Sequence, residues 1–240
     1  MIVGTKEMDG VREFISSPQE IADGIKKYKE ETKKRDELTR MVERFQEAKE
    51  YEKYKKLQEI RSKKPLVINL FGVPGAGKST GAAIVFAELK KRGVNAELVT
   101  EYAKDKTWEG NATALGCQEY VFGKQSYRLA RCRADVDVIV TDSPLPLSLL
   151  YVSDPALLSG GAFQQVVMNV FNSYNNLNFY ILRAKPYNPK GRNQTEEESN
   201  ALHMPLQTLL AENKIPHCCV YGDDEGYAAI VERVAEWLGL

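Results

Sequence analysis

The stretch "FGVPGAGKST", residues 71–80, decides the fold because it joins two segments with different hydrophobic patterns. The run Leu66–Phe71 in front of it is short and continuously apolar, which is typical of a buried parallel strand. Residues 79–92 behind it have the pattern of a helix that Gly93 could end. A glycine-rich bend between a buried strand and a helix predicts a phosphate-binding loop.

The bend fits the pattern G-x-x-x-x-G-K-[ST] without a gap. Its glycines permit positive φ angles, so the backbone N–H groups can turn inward onto phosphate oxygens, and the following helix adds its N-terminal partial charge. We expect Lys78 to reach the β- and γ-phosphates and Ser79 to bind Mg²⁺, which makes ATP and Mg²⁺ the predicted cofactors. The predicted nucleotide-binding residues are Gly72, Pro74, Gly75, Ala76, Gly77, Lys78, Ser79 and Thr80.

From residue 65 onward, strand-like and helix-like segments alternate along the chain. The predicted strands are residues 66–71, 96–100, 136–141, 178–182 and 217–221. The predicted helices are residues 79–92, 113–134, 162–174, 195–213 and 225–238. Five strands with intervening helices predict an α/β domain, in which a parallel sheet is covered by helices on both faces.

Residues 1–64 differ from this domain, and we predict a charged helical extension there. Ser17 and Pro18 resemble a helix start. A narrow apolar stripe follows at steps of three and four residues, formed by Leu38, Met41, Val42, Phe45, Ala48 and Tyr51. Two interpretations stay open: a solvated arm that packs on the domain or on a second copy, giving a homo-oligomer, or a basic arm that binds nucleic acid or a partner.

The composition is that of a globular protein without a strong overall charge. The formal net charge is zero and 43% of the residues are hydrophobic, so a core can form and the total charge favours neither nucleic acid nor membrane. The four cysteines have no metal-binding spacing, and no apolar run approaches the roughly 20 residues that span a bilayer. Without a leader-like N-terminus, the expected location is the cytoplasm.

Two acidic residues follow predicted strands near the phosphate-binding loop. Asp142 ends the apolar strand 138–141, where we expect it to bind Mg²⁺ through water, unless it only caps the next helix. Glu101 follows the second strand and could accept the proton of an acceptor hydroxyl. Asp105 is the reserve candidate for this base, and Asp142 could take the role if it does not bind Mg²⁺. The structural alternative is a merely solvated Glu101 beside Lys104.

The predicted helix 113–134 presents a face that could hold a substrate. Gln118, Phe122 and Gln125 recur at i, i+4 and i+7, and Arg128 follows three residues later. We predict that Gln125 and Arg128 bind the substrate, the amide on a base or ring and the guanidinium on a phosphate or ribose. Phe122 could equally be an ordinary core residue.

Four parts of the chain together resemble one group of proteins: the phosphate-binding loop, "TEYAKD" at 100–105, "DSP" at 142–144 and "LRAKPYNPKGRNQTEEES" at 182–199. They resemble phage-encoded P-loop proteins similar to ribosylnicotinamide kinases, with a looser likeness to deoxynucleoside and nucleoside monophosphate kinases. The resemblance covers roughly residues 65–221. It implies a five-stranded parallel sheet in the order 2-3-1-4-5 within a three-layer α/β/α P-loop fold, and phosphoryl transfer to a hydroxyl or phosphate.

The resemblance also implies roles for particular residues. In the similar deoxynucleoside kinases an acid after the second strand is the base, which favours Glu101. Residues 183–196 would form a lid over ATP, with Arg183 and Arg192 offsetting charge on the transferring phosphoryl group. The alternative for this segment is a solvated basic loop.

Three functions remain open from the sequence. The first is a kinase that phosphorylates a nucleoside, a nucleotide or a nucleoside-like small molecule. The second is a phage kinase that phosphorylates a hydroxymethylated base in DNA, with the basic arm on the DNA backbone. The third is a P-loop ATPase that acts as a switch or assembly factor, with no phosphoryl acceptor but water.

Overall fold

The computed structural model of the chain describes residues 5–8, 11–14 and 17–240, in two units, Met1–Tyr54 and Lys55–Leu240. Residues 1–4, 9–10 and 15–16 of the predicted extension lie outside the described residues. The first unit contains an antiparallel strand pair, Thr5–Met8 with Val11–Phe14. A single long helix, Pro18–Lys63, begins in this unit where the Ser-Pro signal predicted a start.

The apolar stripe of this N-terminal helix is exposed. Leu38 is 61% exposed, Met41 67% and Phe45 76%. A row of large apolar side chains on a charged helix is typical of a surface that binds another helix. The predicted pairing with a second copy stays a prediction.

The second unit is built on five parallel strands. In chain order they are β1 (Leu66–Phe71), β2 (Ala96–Val99), β3 (Val138–Thr141), β4 (Asn175–Leu182) and β5 (Cys218–Tyr221). Their order across the sheet is 2-3-1-4-5, and every pair is parallel. The predicted fold class is therefore confirmed.

The central strand β1 is buried and is hydrogen-bonded through a side chain to β4. All six of its residues are buried, because helices cover both of its faces. Its one polar member, Asn69, donates from Nδ2 to the side-chain oxygens of Asn176 (2.9 Å) and Asn178 (3.0 Å) on β4. These hydrogen bonds between side-chain amides satisfy buried polar groups and help to fix the register of β1 against β4.

Nine α-helices follow β1 among the described residues of the second unit. They are α1 (Lys78–Lys91), α2 (Tyr102–Trp108), α3 (Ala112–Gly116), α4 (Gln118–Ala130), α5 (Pro155–Leu158), α6 (Ala162–Phe171), α7 (Glu196–Ala201), α8 (His203–Glu212) and α9 (Asp224–Leu238). A 3₁₀ segment spans Leu145–Tyr151 and packs with α4 and α6, whereas α1 packs with α9. No helix of the described residues is long and apolar enough to span a bilayer.

Two predicted helices needed correction, and a third helix was not predicted. The predicted helix 113–134 is broken at Cys117, whose ψ of 85° is not helical, just after Gly116, a poor helix former. The predicted helix 195–213 is two helices that meet at Leu202. The segment after β2 forms α2, which was missed because its polar residues show no apolar period.

Candidate active site

The glycine-rich loop after β1 adopts the backbone geometry that its glycines permit. The φ angles are 149° at Gly72, 80° at Gly75 and 103° at Gly77, all in the region that side chains disfavour. The Lys78 ammonium donates to the carbonyls of Gly72 (2.7 Å) and Val73 (3.1 Å). The loop therefore curls around the lysine head, as expected of a phosphate cradle.

Residues distant in the sequence hold this loop from behind. The carbonyl of Pro74 accepts hydrogen bonds from the Ser199 hydroxyl (2.7 Å) and the Arg183 guanidinium (3.1 Å). On the other side of the loop, the Tyr227 hydroxyl donates to the Gly77 carbonyl at 2.9 Å. Because backbone carbonyls at both ends of the loop are bonded, the loop is anchored by Arg183, which follows β4, and by residues of α7 and α9.

A cavity of about 740 Å³ opens in front of the loop. The loop contributes Pro74, Gly75, Gly77, Lys78, Ser79 and Thr80, whereas Gly72 and Ala76 lie buried outside its lining. Glu101 and α2 form a second side, and the segment 190–194, which carries Arg192, forms a third.

The remaining side of the cavity carries no charged residue, and we call it the uncharged wall. It consists of Ala112, Leu115, Gly116, Gln118, Val121, Phe122, Gln125, Ser143, Pro144, Leu145, Leu147, Ser148 and Tyr151. Tyr151 is 37% exposed, yet partial desolvation of its hydroxyl raises its pKa to about 12, and the negative Glu101 adds to the shift.

Lys78 and Glu101 both line the cavity, and the charge of each shifts the pKa of the other. Burial lowers the pKa of the Lys78 ammonium, whereas the carboxylates of Glu101 and Asp142 act to raise it. Burial raises the pKa of Glu101, Lys78 lowers it, and Asp142 raises it further. Glu101 is thus a carboxylate of increased basicity held in the field of the loop lysine.

Asp142 follows directly after β3, and one of its carboxylate oxygens has an unusual environment. The residue is 3% exposed, and its buried Oδ1 has no hydrogen-bond partner among the described residues. Asp142 and Ser79 also line a second cavity of about 260 Å³, together with Glu101. A buried oxygen without a donor next to a hydroxyl fits a Mg²⁺ site, because Mg²⁺ takes few protein ligands and keeps waters or phosphate oxygens as the others.

The segment that carries Glu101 is fastened to α4 on both sides of the carboxylate. The Gln125 Oε1 accepts from the backbone N–H of Tyr102 (2.8 Å), and its Nε2 donates to the Thr100 carbonyl (3.3 Å). The Arg128 guanidinium donates to the same carbonyl at 3.2 Å. One side-chain amide therefore bridges the two residues that flank Glu101.

Sequence reasoning had assigned Gln125 and Arg128 to the substrate. Gln125 lines the cavity, but both ends of its amide are engaged with backbone groups. Arg128 is not among the lining residues; it forms a close ion pair with Asp105 and lies over the Tyr102 ring. Asp105, the reserve base, is therefore paired and lies outside the main cavity.

The two predicted lid arginines are in different environments. Arg192 lines the cavity, whereas Arg183 does not. The Arg183 guanidinium is engaged with Pro74, Ser199, Glu196 (3.2 Å) and Asn200 (3.0 Å). Both arginines lie over the ring of Tyr187, and a Cβ on Gly75 would be 2.8 Å from that ring.

The segment after Arg183 also contacts α2 on the opposite side of the cavity. The Asn193 amide donates to the Thr107 hydroxyl at 2.9 Å, and a Cβ on Gly191 would be 2.6 Å from the Trp108 ring. Sequence reasoning missed Tyr187, Trp108 and Tyr227. Only Tyr187 had a local signal, an aromatic residue among Pro, Asn and Gly in a basic loop.

A parallel sheet in the order 2-3-1-4-5, a lysine-bearing glycine loop after its central strand and an acid at the end of the adjacent strand define a P-loop nucleoside triphosphate-binding fold. A family described as an AAA domain matches residues 67–225, well over half of the chain. The chain belongs to this family.

Two solved structures that match the chain have low sequence identity to it. Shikimate kinase from Bacteroides thetaiotaomicron is 14% identical over 73% of this chain and 99% of its own, with a TM-score of 0.44. The structure of APE1195 is 16% identical over 73% of this chain and 96% of its own, with a TM-score of 0.39. No curated protein matches the chain. The narrower resemblance to phage proteins like ribosylnicotinamide kinases stays a prediction.

Proposed function

We propose that the protein is an ATP- and Mg²⁺-dependent phosphotransferase that moves the γ-phosphate to a hydroxyl or phosphate of a nucleoside, nucleotide or similar small molecule. One observation carries the proposal: a single cavity is lined by the phosphate-binding loop, by Glu101 and by the Arg192 segment. A switch ATPase needs no second binding wall, whereas a phosphotransferase needs space for an acceptor facing the phosphate.

In this proposal three charged residues of the cavity have one task each. Lys78 and Arg192 offset negative charge on the transferring group, since both line the cavity and both are cationic. Glu101 orients the acceptor hydroxyl and accepts its proton, and its raised pKa makes it a stronger base than an exposed glutamate. Gln125 and Arg183 do not contact the reacting groups but position Glu101 and the Pro74 bend.

Ser79 and Asp142 would hold Mg²⁺, which when bound supplies positive charge to the phosphate oxygens. The orphaned Oδ1 of Asp142 supports this assignment. Both residues line the second cavity, next to Glu101. The carboxylate of Asp142 is therefore assigned to the metal and that of Glu101 to the acceptor.

The test uses γ-labelled ATP, Mg²⁺ and a panel of acceptors: nucleosides, their monophosphates, nicotinamide riboside, and plain or hydroxymethylated DNA. We expect label to enter one class of acceptor and Lys78→Ala to reduce transfer at least about 100-fold. Lys90→Ala, on the exposed last turn of the same helix, is the matched control and should keep full activity. Label found only in inorganic phosphate, at the same rate with and without acceptors, would favour the switch ATPase instead.

A further inference from the structure

The N-terminal helix Pro18–Lys63 carries an uncharged face in the middle of its length. The residues of this face, which we call the helix stripe, are Leu38, Met41, Val42, Phe45 and Ala48. All five are exposed. Because they recur at steps of three and four residues, they lie within roughly 120° of the helix circumference.

The charged residues of the same stretch lie on the opposite side of the helix. They are Arg40, Glu43, Arg44 and Glu47. Their positions are centred roughly 150° from the centre of the helix stripe. The stripe therefore exposes large apolar side chains to water without a charge among them, which favours its burial against another apolar surface.

Charged blocks flank the helix stripe on both sides and alternate in sign. From the stripe toward the N-terminus, the blocks are acidic (Asp36 and Glu37), basic (Lys33, Lys34 and Arg35) and acidic (Glu30 and Glu31). From the stripe toward the C-terminus, they are basic (Lys49), acidic (Glu50 and Glu52) and basic (Lys55). The two series are opposite in sign at every step.

This order of signs identifies both the partner of the stripe and its direction. When two copies of the helix lie antiparallel with their stripes in contact, each N-terminal block lies opposite the C-terminal block of the second copy. Arg35 then lies at the level of Glu52 of the second copy, and the two-fold symmetry repeats the same contact at the other end. In a parallel pair each block would instead lie opposite its own copy, which places like charges together.

We propose that two copies of the chain form a dimer through the helix stripe, with their N-terminal helices packed antiparallel. The apolar stripe supplies the area that is buried, and the charged blocks fix the direction and the register of the pair. This proposal depends on the N-terminal helix alone and is independent of the phosphotransferase function.

Analytical ultracentrifugation of the full chain between about 0.1 and 100 μM tests dimer formation. We expect a species of twice the 27.0 kDa chain mass. Phe45→Asp places an unpaired charge in the middle of the stripe and should weaken dimerisation at least about 100-fold. Glu43→Lys, on the opposite side of the helix, is the matched control and should dimerise like the wild type. A monomer over the whole range, or a dimer that Phe45→Asp leaves intact, would overturn the proposal.

Reversing the charged blocks tests the direction of the pair. One variant combines Lys33→Glu, Lys34→Glu and Arg35→Glu, a second combines Glu50→Lys and Glu52→Lys, and a third carries all five changes, which are at exposed positions. Each of the first two should weaken dimerisation about 10-fold or more, because like charges then lie opposite each other. The third should return to within about threefold of the wild-type dissociation constant.

A parallel pair gives a different result, since reversing a block that lies opposite its own copy leaves like charges together. Unchanged dimerisation in the first two variants would therefore contradict the antiparallel arrangement. Failure of the third variant to recover would contradict it as well. Circular dichroism of each variant verifies that the helix is retained.

Discussion

The hydroxyl of Tyr227 donates a 2.9 Å hydrogen bond to the carbonyl of Gly77, 150 residues earlier in the chain. Tyr227 is 1% exposed, and its ring lies directly against α1. Gly77 is also the N-cap residue of α1, which begins at Lys78. The last helix of the domain therefore fixes the point where the phosphate-binding loop becomes a helix.

Removing that hydroxyl should loosen the loop. We expect Tyr227→Phe to lower the free energy of unfolding by about 1 kcal/mol and to weaken ATP binding several-fold, because a buried carbonyl loses one of its donors. Urea denaturation and calorimetric titration with ATP measure the two effects. Tyr221→Phe is the control, since Tyr221 is 60% exposed. Unchanged ATP affinity in Tyr227→Phe would show that the bond does not shape the loop.

Gly81 should be intolerant of a side chain because the Tyr227 ring lies against it. A Cβ on this helical glycine would lie 2.5 Å from the Tyr227 ring, so we expect Gly81→Ala to cost about 1–3 kcal/mol of stability through overpacking. Gly123→Ala, in α4, is the contrasting control because nothing lies within 4 Å of its Cβ, and it should stabilise the protein slightly. Thermal denaturation compares the two. Equal stability of the two variants would contradict the packing argument.

The pH dependence of transfer should depend on Glu101. Burial holds its pKa above the ordinary 4.5, and the carboxylate must be unprotonated to accept a proton. The rate should therefore rise with pH through an inflection above 4.5. Glu101→Gln should lower turnover at least about 100-fold and remove this inflection while ATP affinity changes little.

The control for that variant is Glu212→Gln, at the exposed end of α8. It should keep the wild-type pH profile and the wild-type rate. A near-normal rate in Glu101→Gln would move the base to another carboxylate.

The Gln125 amide should matter for turnover even though it is already engaged. Gln125→Leu keeps roughly the side-chain size but leaves the Tyr102 N–H without its partner and the Thr100 carbonyl with Arg128 alone. We expect kcat to fall about 10- to 100-fold, with the KM for ATP unchanged, because Glu101 is no longer held in line. The inflection of the pH profile should also move, which a loss of stability alone would not cause.

Tyr127→Ala is the matched control on the same helix, since Tyr127 is 68% exposed. It should leave kcat and the pH profile as they are. If Gln125→Leu instead raises only the KM for the acceptor, Gln125 binds substrate as the sequence suggested.

Asp142 should couple ATP binding to Mg²⁺. We expect the wild-type protein to bind ATP more tightly with Mg²⁺ than with EDTA, and Asp142→Asn to lose most of this difference, because the orphaned Oδ1 loses its charge. Fluorescence titration of ATP with and without Mg²⁺ measures the effect. A full Mg²⁺ effect in Asp142→Asn would remove this residue from the metal site.

Local sequence was sufficient to predict the central strand and the loop, whereas the order of the strands came from the resemblance to P-loop kinases. β1 is apolar apart from Asn69, and the spacing of Gly72, Gly77 and Lys78 dictates the bend, so this strand and the loop follow from short-range physics. The positions of the helices were predicted less accurately than those of the strands. The break at Cys117 depends on one residue leaving the helical region, and α2 has no apolar period, so neither produces a pattern in the sequence.

Only the tertiary structure determined which groups the polar side chains hydrogen-bond. The sequence singled out Gln125, Arg128 and Arg183 as polar residues near a site, yet the fold uses them to hold the Glu101 segment and the Pro74 bend. Tyr227 gave no signal, because its contact with Gly77 joins distant parts of the chain. Backbone conformation follows from neighbouring residues, whereas the group that a long polar side chain binds is chosen by what the tertiary structure brings within hydrogen-bond reach.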